Sequence, residues 1–140
     1  MELTLSQCFV AANDHDEALA FYRDTLGLEV RNDVQAQGLF WISVGPKNQP
    51  DVTIVLEPAV ADPNASEADK AAAAELLGKG LLRGVIFNTE DCDATFEQIS
   101  AAGAEVIQEP TDQFYGVRDC AFRDPSGNVL RFSQPLQQNQ

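Results

Sequence analysis

Residues 21–28 read Phe21-Tyr22-Arg23-Asp24-Thr25-Leu26-Gly27-Leu28, and they carry the mark of a helix end. Ala18, Leu19, Phe21, Tyr22, Thr25 and Leu26 recur at helical spacing, the period that lays apolar side chains along one stripe. Gly27 follows at the position where helices often leave through positive φ. Upstream, Asn13-Asp14 offers a cap for the free N–H groups of the first turn. Residues 3–12, with Leu3, Leu5, Phe9 and Val10 and few breakers, read as a strand. Downstream, 28–35 and 39–44 read as strands joined at Ala36-Gln37-Gly38. After a second turn over 46–50, residues 51–57 read as another strand, closed by Pro58. The order is βαβββ.

The same order returns. Residues 81–88 predict a strand, 90–102 a helix ended by Gly103, and 104–108, 116–122 and 128–134 three more strands. Asp124-Pro125-Ser126-Gly127 makes a tight turn before the last of them. Gly27-Leu28-Glu29-Val30 matches Gly103-Ala104-Glu105-Val106 at an offset of 76, and Asp51 through Pro58 matches Asn128 through Pro135 at 77. A period this long is two copies of one supersecondary unit, not a solenoid. Between the copies lies a segment rich in Ala, Asp and Glu, with a helix predicted over 67–77 and capped by Ser66. The chain therefore divides into module one (3–59), a linker (60–80), module two (81–135) and a tail (136–140), together one domain.

With the Phe21–Leu28 helix exit and the Asp124-Pro125-Ser126-Gly127-Asn128 turn both in place, the chain resembles the vicinal oxygen chelate superfamily of glyoxalases, bleomycin-resistance proteins and extradiol dioxygenases. The match covers nearly the whole length. The resemblance implies an α+β fold in which two βαβββ modules curl mixed sheets into a cup around a ligand, and it implies a homodimer. Both motifs are structural in content, so they speak to fold and hardly to function.

Enzymes of that family hold a divalent metal on His, Gln or Glu side chains from the first and last strand of each module. Mapped here, those positions fall on Gln7, Ile54, Gly84 and Arg131. A one-residue shift puts Val55 in place of Ile54. Only Gln7 is a ligand type; a guanidinium has no lone pair to give. The single histidine, His15, lies at the start of the first helix, outside the cup, where a solvent-facing role is expected. No metal and no other cofactor is expected.

Strand alternation gives the expected lining. Gln7 and Phe9 share a face in the first strand, Gly84, Ile86 and Asn88 in the fifth, and Val129, Arg131 and Ser133 in the last. One of Phe40 and Trp41 faces inward. Tyr115-Gly116-Val117-Arg118 resembles an aromatic-Gly-x-Arg stretch of the bleomycin-resistance branch. The candidate ligand-binding residues are Gln7, Phe9, Trp41, Ile54, Gly84, Ile86, Tyr115, Arg118 and Arg131. Arg131 has two readings: a partner for a carboxylate or oxyanion of the ligand, or an ion pair with Glu57, Asp119 or another neighbour. Trp41 reads either as a stacking platform or as plain core.

A formal net charge of −13 disfavours nucleic-acid partners and would attract cations. No apolar run reaches bilayer length and no signal peptide is seen, so a cytoplasmic location is expected. Cys8, Cys92 and Cys120 form no Cys-x-x-Cys pair and read as free thiols. Two functions follow: a small-molecule binding protein for a cationic or aromatic drug or metabolite, without metal; or a divergent metal-dependent lyase or extradiol dioxygenase, with a metal-free mechanism through Arg131 and Tyr115 as a variant. A third role, partner binding through the acidic linker, also stands. Catalytic residues are not assigned.

Overall fold

A computed structural model describes residues 1–137 of the chain, so the end of the predicted tail lies outside the described residues. Asp14 starts the first helix by accepting a hydrogen bond from the Glu17 N–H at 2.9 Å. Helix α1 (His15–Leu19) then widens into a π-helical segment, Ala20–Thr25, marked by a 2.9 Å bond from Leu26 N–H to the Phe21 carbonyl. Gly27 ends it at φ 72°. Strands β1 (Cys8–Ala11), β2 (Glu29–Ala36), β3 (Leu39–Gly45) and β4 (Ile54–Glu57) form one sheet in the order β1-β4-β3-β2. Helix α2 (Glu67–Gly78) occupies the linker, with Ser66 and Asp69 forming a reciprocal capping box. Then come β5 (Ile86–Asn88), α3 (Cys92–Ala101), β6 (Glu105–Asp112), β7 (Val117–Arg123) and β8 (Val129–Pro135), paired as β5-β8-β7-β6. In each sheet the first strand runs parallel to the last and the other pairings are antiparallel, so the two modules share one topology.

Three predicted strands are shorter than their patterns, and the one predicted over 51–57 starts only at Ile54. The first begins only at Cys8, because its partner β4 begins at Ile54 and no ladder extends further back. Residues 1–7 lie outside any element, with Leu3 and Leu5 exposed. The fifth is confined to Ile86–Asn88; ahead of it Gly84 lies so close to the Val129 carbonyl that a side chain there would collide.

The helices cover one face of both sheets and the two modules bury a common core. Val10, Tyr22, Ile42, Val44 and Leu56 from module one join Cys92, Ile99, Phe122, Leu130 and Phe132 from module two in a single cluster. Each large side chain buried there contributes roughly 1.5–3 kcal/mol.

The turn before β8 fastens the modules together. Asp124, itself buried, accepts the backbone N–H groups of Ser126, Gly127 and Asn128 on Oδ1 at 2.9–3.0 Å. Its Oδ2 accepts the Tyr22 hydroxyl at 2.5 Å and the Asn128 side-chain amide at 2.8 Å. That amide also donates to the Ala11 carbonyl at 2.7 Å, and Ser126 Oγ takes the Asn13 N–H at 2.8 Å. Gly127, at φ 116°, passes so close to the Leu77 carbonyl that no Cβ fits. Both hallmark motifs thus meet at one carboxylate. Among the described residues no helix is long and apolar enough to cross a membrane.

Candidate functional site

Alternation along the strands sends every second side chain to the face away from the helices. In module one the register aligns Phe9, Val55 and Ser43 across that open face, with Trp41 further along β3 opposite Val34. In module two it aligns Ile86, Arg131, Ala121 and Gln108. The open faces carry large apolar groups in water: Phe9 is 60% exposed, Trp41 37%, Ile86 68% and Tyr115 61%. Val55 and Ala121 are inaccessible yet stand apart from the helix-side core, as floor residues of this face.

Arg131 rises from that floor within a polar network. Its Nη1 donates to Gln108 Oε1 at 2.9 Å and lies 4.0 Å from Asp119 Oδ2. Gln108 Nε2 donates to Asp119 Oδ1 at 2.7 Å and Gln113 Nε2 to the same oxygen at 3.0 Å; the Tyr115 hydroxyl sits 3.5 Å from Oδ2. Burial pushes the Asp119 carboxyl up, but the hydrogen bonds from Gln113 and Gln108 and the charge of Arg131 outweigh it, and the group ends below the ordinary carboxylate range. Asp119 is only 3% exposed, whereas the Arg131 side chain is 39% exposed.

The expected lining is thus partly assembled. Phe9, Trp41, Ile86, Tyr115 and Arg131 lie on the open faces. Ile54 does not: it points to the helices and joins the core, and the register makes Val55 the counterpart of Arg131, since Ser43–Val55–Phe9 repeats as Ala121–Arg131–Ile86. Arg118 is on the helix side too, where Nη2 meets Asp93 of α3 at 2.9 Å and Nη1 meets Asp112 at 3.0 Å. It pins α3 to β6 and β7. Gln7 lies ahead of β1 and, with Leu5, Ile54 and Ile86, borders a cavity of about 320 Å³ between the modules. Another cavity, about 250 Å³, opens on the helix side beside Leu28, Phe87 and Ile99, away from Arg131.

His15 is not solvent-facing. Its side chain is mostly buried, bonded to Asp16 at 2.9 Å and Asp33 at 2.8 Å, and set edge-on to Phe40. Those two hydrogen bonds raise its pKa above the ordinary value. It steadies the first helix on β2 and β3. Gln108 and Gln113 were not foreseen. Gln108 lies in β6, which shifts register on both sides of it, so alternation read from the sequence loses phase there, and Gln113 follows the end of that strand.

The residues at the family's ligand positions do not suit a divalent metal: an amide at Gln7, an aliphatic side chain at Val55, glycine at Gly84 and a bonded guanidinium at Arg131. Among the described residues no three His, Cys, Asp or Glu side chains gather to hold one.

The two βαβββ modules, their shared turn and their open faces define a known class. The chain belongs to the Glyoxalase/Bleomycin resistance protein/Dioxygenase superfamily, whose family profile matches residues 4–132. Among solved structures, UcmS2 superposes with a TM-score of 0.85 at 35% identity, over 95% of this chain and 98% of that one. TnmS3, an antibiotic binding protein from Streptomyces sp. CB03234, gives 0.73 at 28% identity over 96% and 98%. The uncharacterized protein YurT of Bacillus subtilis (strain 168) is 28% identical over 135 residues, 96% of this chain and 99% of YurT.

Proposed function

We propose that this chain is a small-molecule binding protein that takes up an aromatic drug or metabolite on its open sheet faces without a metal. The observation that carries this reading is the pairing of solvent-open aromatic side chains, Phe9, Trp41 and Tyr115, with a guanidinium at a position where the family's enzymes need a metal donor. Apolar surface exposed around a few fixed polar groups is what a ligand pocket requires. The likeness to TnmS3, an antibiotic binding protein, supports the same reading.

The faces are open in a single chain, so the cup is completed by a second copy. Two-fold pairing would bury Phe9, Ile86 and Trp41, and the unpaired apolar stretch with Leu3 and Leu5 would find strand or side-chain partners there. We place the protein in the cytoplasm, as its free cysteines suggest.

Trp41 is the single tryptophan, so its emission reports on the open face directly. Titration with a panel of aromatic antibiotics and metabolites is expected to change that emission saturably, and Trp41→Leu is expected to weaken binding. Sedimentation should give a dimer. A panel without one binder sinks the proposal. One equivalent of a transition metal in the purified protein would instead put the lyase or dioxygenase reading first.

A further inference from the structure

The open face of module two presents a positive charge although the chain as a whole is strongly acidic. Asp119 is the balancing carboxylate, and it is hidden. Gln108 and Gln113 cap Oδ1, the Tyr115 hydroxyl covers Oδ2, and almost none of the residue reaches solvent. A ligand on this face therefore cannot touch the anion. It meets the guanidinium instead. Only Nη1 of Arg131 is engaged, by Gln108; among the described residues Nε and Nη2 have no hydrogen-bond partner. The fork is held from below and its remaining N–H groups are unspent. The groups beside it are Ile86 and Ala121, which neither accept nor donate through their side chains.

We infer that the ligand is an aromatic molecule bearing an anionic oxygen, a carboxylate or phenolate, which docks on the free N–H groups of Arg131, with Gln108 and Asp119 as positioning residues. This rests on the small-molecule reading above and reverses the preference for cations that net charge alone suggests. The net charge describes the outer surface; recognition is set by the charge a ligand can reach. A planar guanidinium matches a carboxylate in a two-bond fork, and the partly screened site strengthens the pair relative to bulk water.

The test uses three naphthalenes of one shape: 2-naphthoate, 2-naphthamide and protonated 2-naphthylmethylamine. Binding is followed in wild-type protein by NMR through the Ile86 methyls, the Arg131 Nε–H and the Trp41 indole N–H. 2-Naphthoate is expected to bind at least about tenfold more tightly than the amine, with the amide between them. Arg131→Gln is expected to collapse that order, with 2-naphthoate losing the most affinity and the amine the least, and Arg131→Lys to restore part of it. A purely structural Arg131 would shift all three together. The wild-type ranking stands even if the variants do not fold. If the amine binds as well as 2-naphthoate, the inference fails while the binding-protein reading survives. If none of the three moves any of these resonances, both fall.

Discussion

Replacing Tyr22 by Phe removes one oxygen from a buried position where module one meets module two. The Tyr22 hydroxyl donates to Asp124 Oδ2 at 2.5 Å, and burial together with that carboxylate keeps it protonated far above its ordinary range. In the variant the carboxylate keeps its four other donors, so no charge is orphaned. The loss is that of one hydrogen bond to a charged acceptor, about 1.5–3 kcal/mol. With an unfolding entropy of about 2.1 cal/mol/K per residue, a chain of 140 residues loses about 3–4 °C per kcal/mol, so Tyr22→Phe should lower the midpoint by about 5–10 °C. Asp124→Ala should cost at least twice as much, because it strands the backbone N–H groups of Ser126 and Asn128 and the tyrosine hydroxyl at once, and leaves the Gly127 N–H only the backbone carbonyl of residue 124. Calorimetry checks both, and each trace should show one transition, since the core is common to the two modules. A Tyr22→Phe protein that melts with the wild type, or an Asp124→Ala protein no worse than Tyr22→Phe, refutes the clasp.

Gly127→Ala should destabilise by about 3 kcal/mol or more in urea titrations, because positive φ and the Leu77 carbonyl both oppose a side chain, whereas Gly116→Ala, also at positive φ but with open space around it, should cost only about 1–2 kcal/mol. The single histidine should titrate above 6.5 by NMR, since its bonds to Asp16 and Asp33 favour the charged form. Its folded pKa is raised, so its stabilisation is fully present below about 6.5 and is lost as pH rises through the folded value. His15→Gln should therefore lower the melting midpoint more at acidic than at alkaline pH; the opposite order would contradict the ion pairs. Native protein should expose one reactive thiol to a disulfide reagent, Cys8, and three after denaturation. Cys92 and Cys120 are buried, and burial raises both thiols, Cys120 to about 12.

What could be read from the sequence was whatever depends on neighbours in the chain. The cap at Asp14, the box at Ser66 and the exits at Gly27 and Gly103 are local events, and each lies where its residues predicted. The repeat is visible because two helix exits and two last strands keep their spacing. Pairing is another matter. Leu3 and Leu5 carry a strand's pattern, but a pattern asks for a partner without supplying one, and β4 starts too late to serve. The one-position ambiguity between Ile54 and Val55 decides which side chain faces the helices, and only the ladder resolves it. Arg118 and Arg131 look alike in sequence, both on strands of module two; alternation puts one under a helix and the other on the open face. Asp119 of β7 could be named beforehand as a partner of Arg131, but its hydrogen-bonding partner Gln108 comes from β6, whose bulges no single-sequence pattern announces.

The division between helix-covered and open faces has a consequence for how such a chain can change over evolutionary time. The groups that hold it together, the common core and the Tyr22–Asp124 clasp, lie with the helices. Phe9, Trp41, Ile86 and Arg131 lie on the opposite side of the same strands and take no part in that core. Substitutions there draw little on the stability margin that limits most proteins. A lineage built on this plan is free to try new ligand chemistries, trading a metal donor for a guanidinium or a small residue for an indole, while its folding determinants stay untouched.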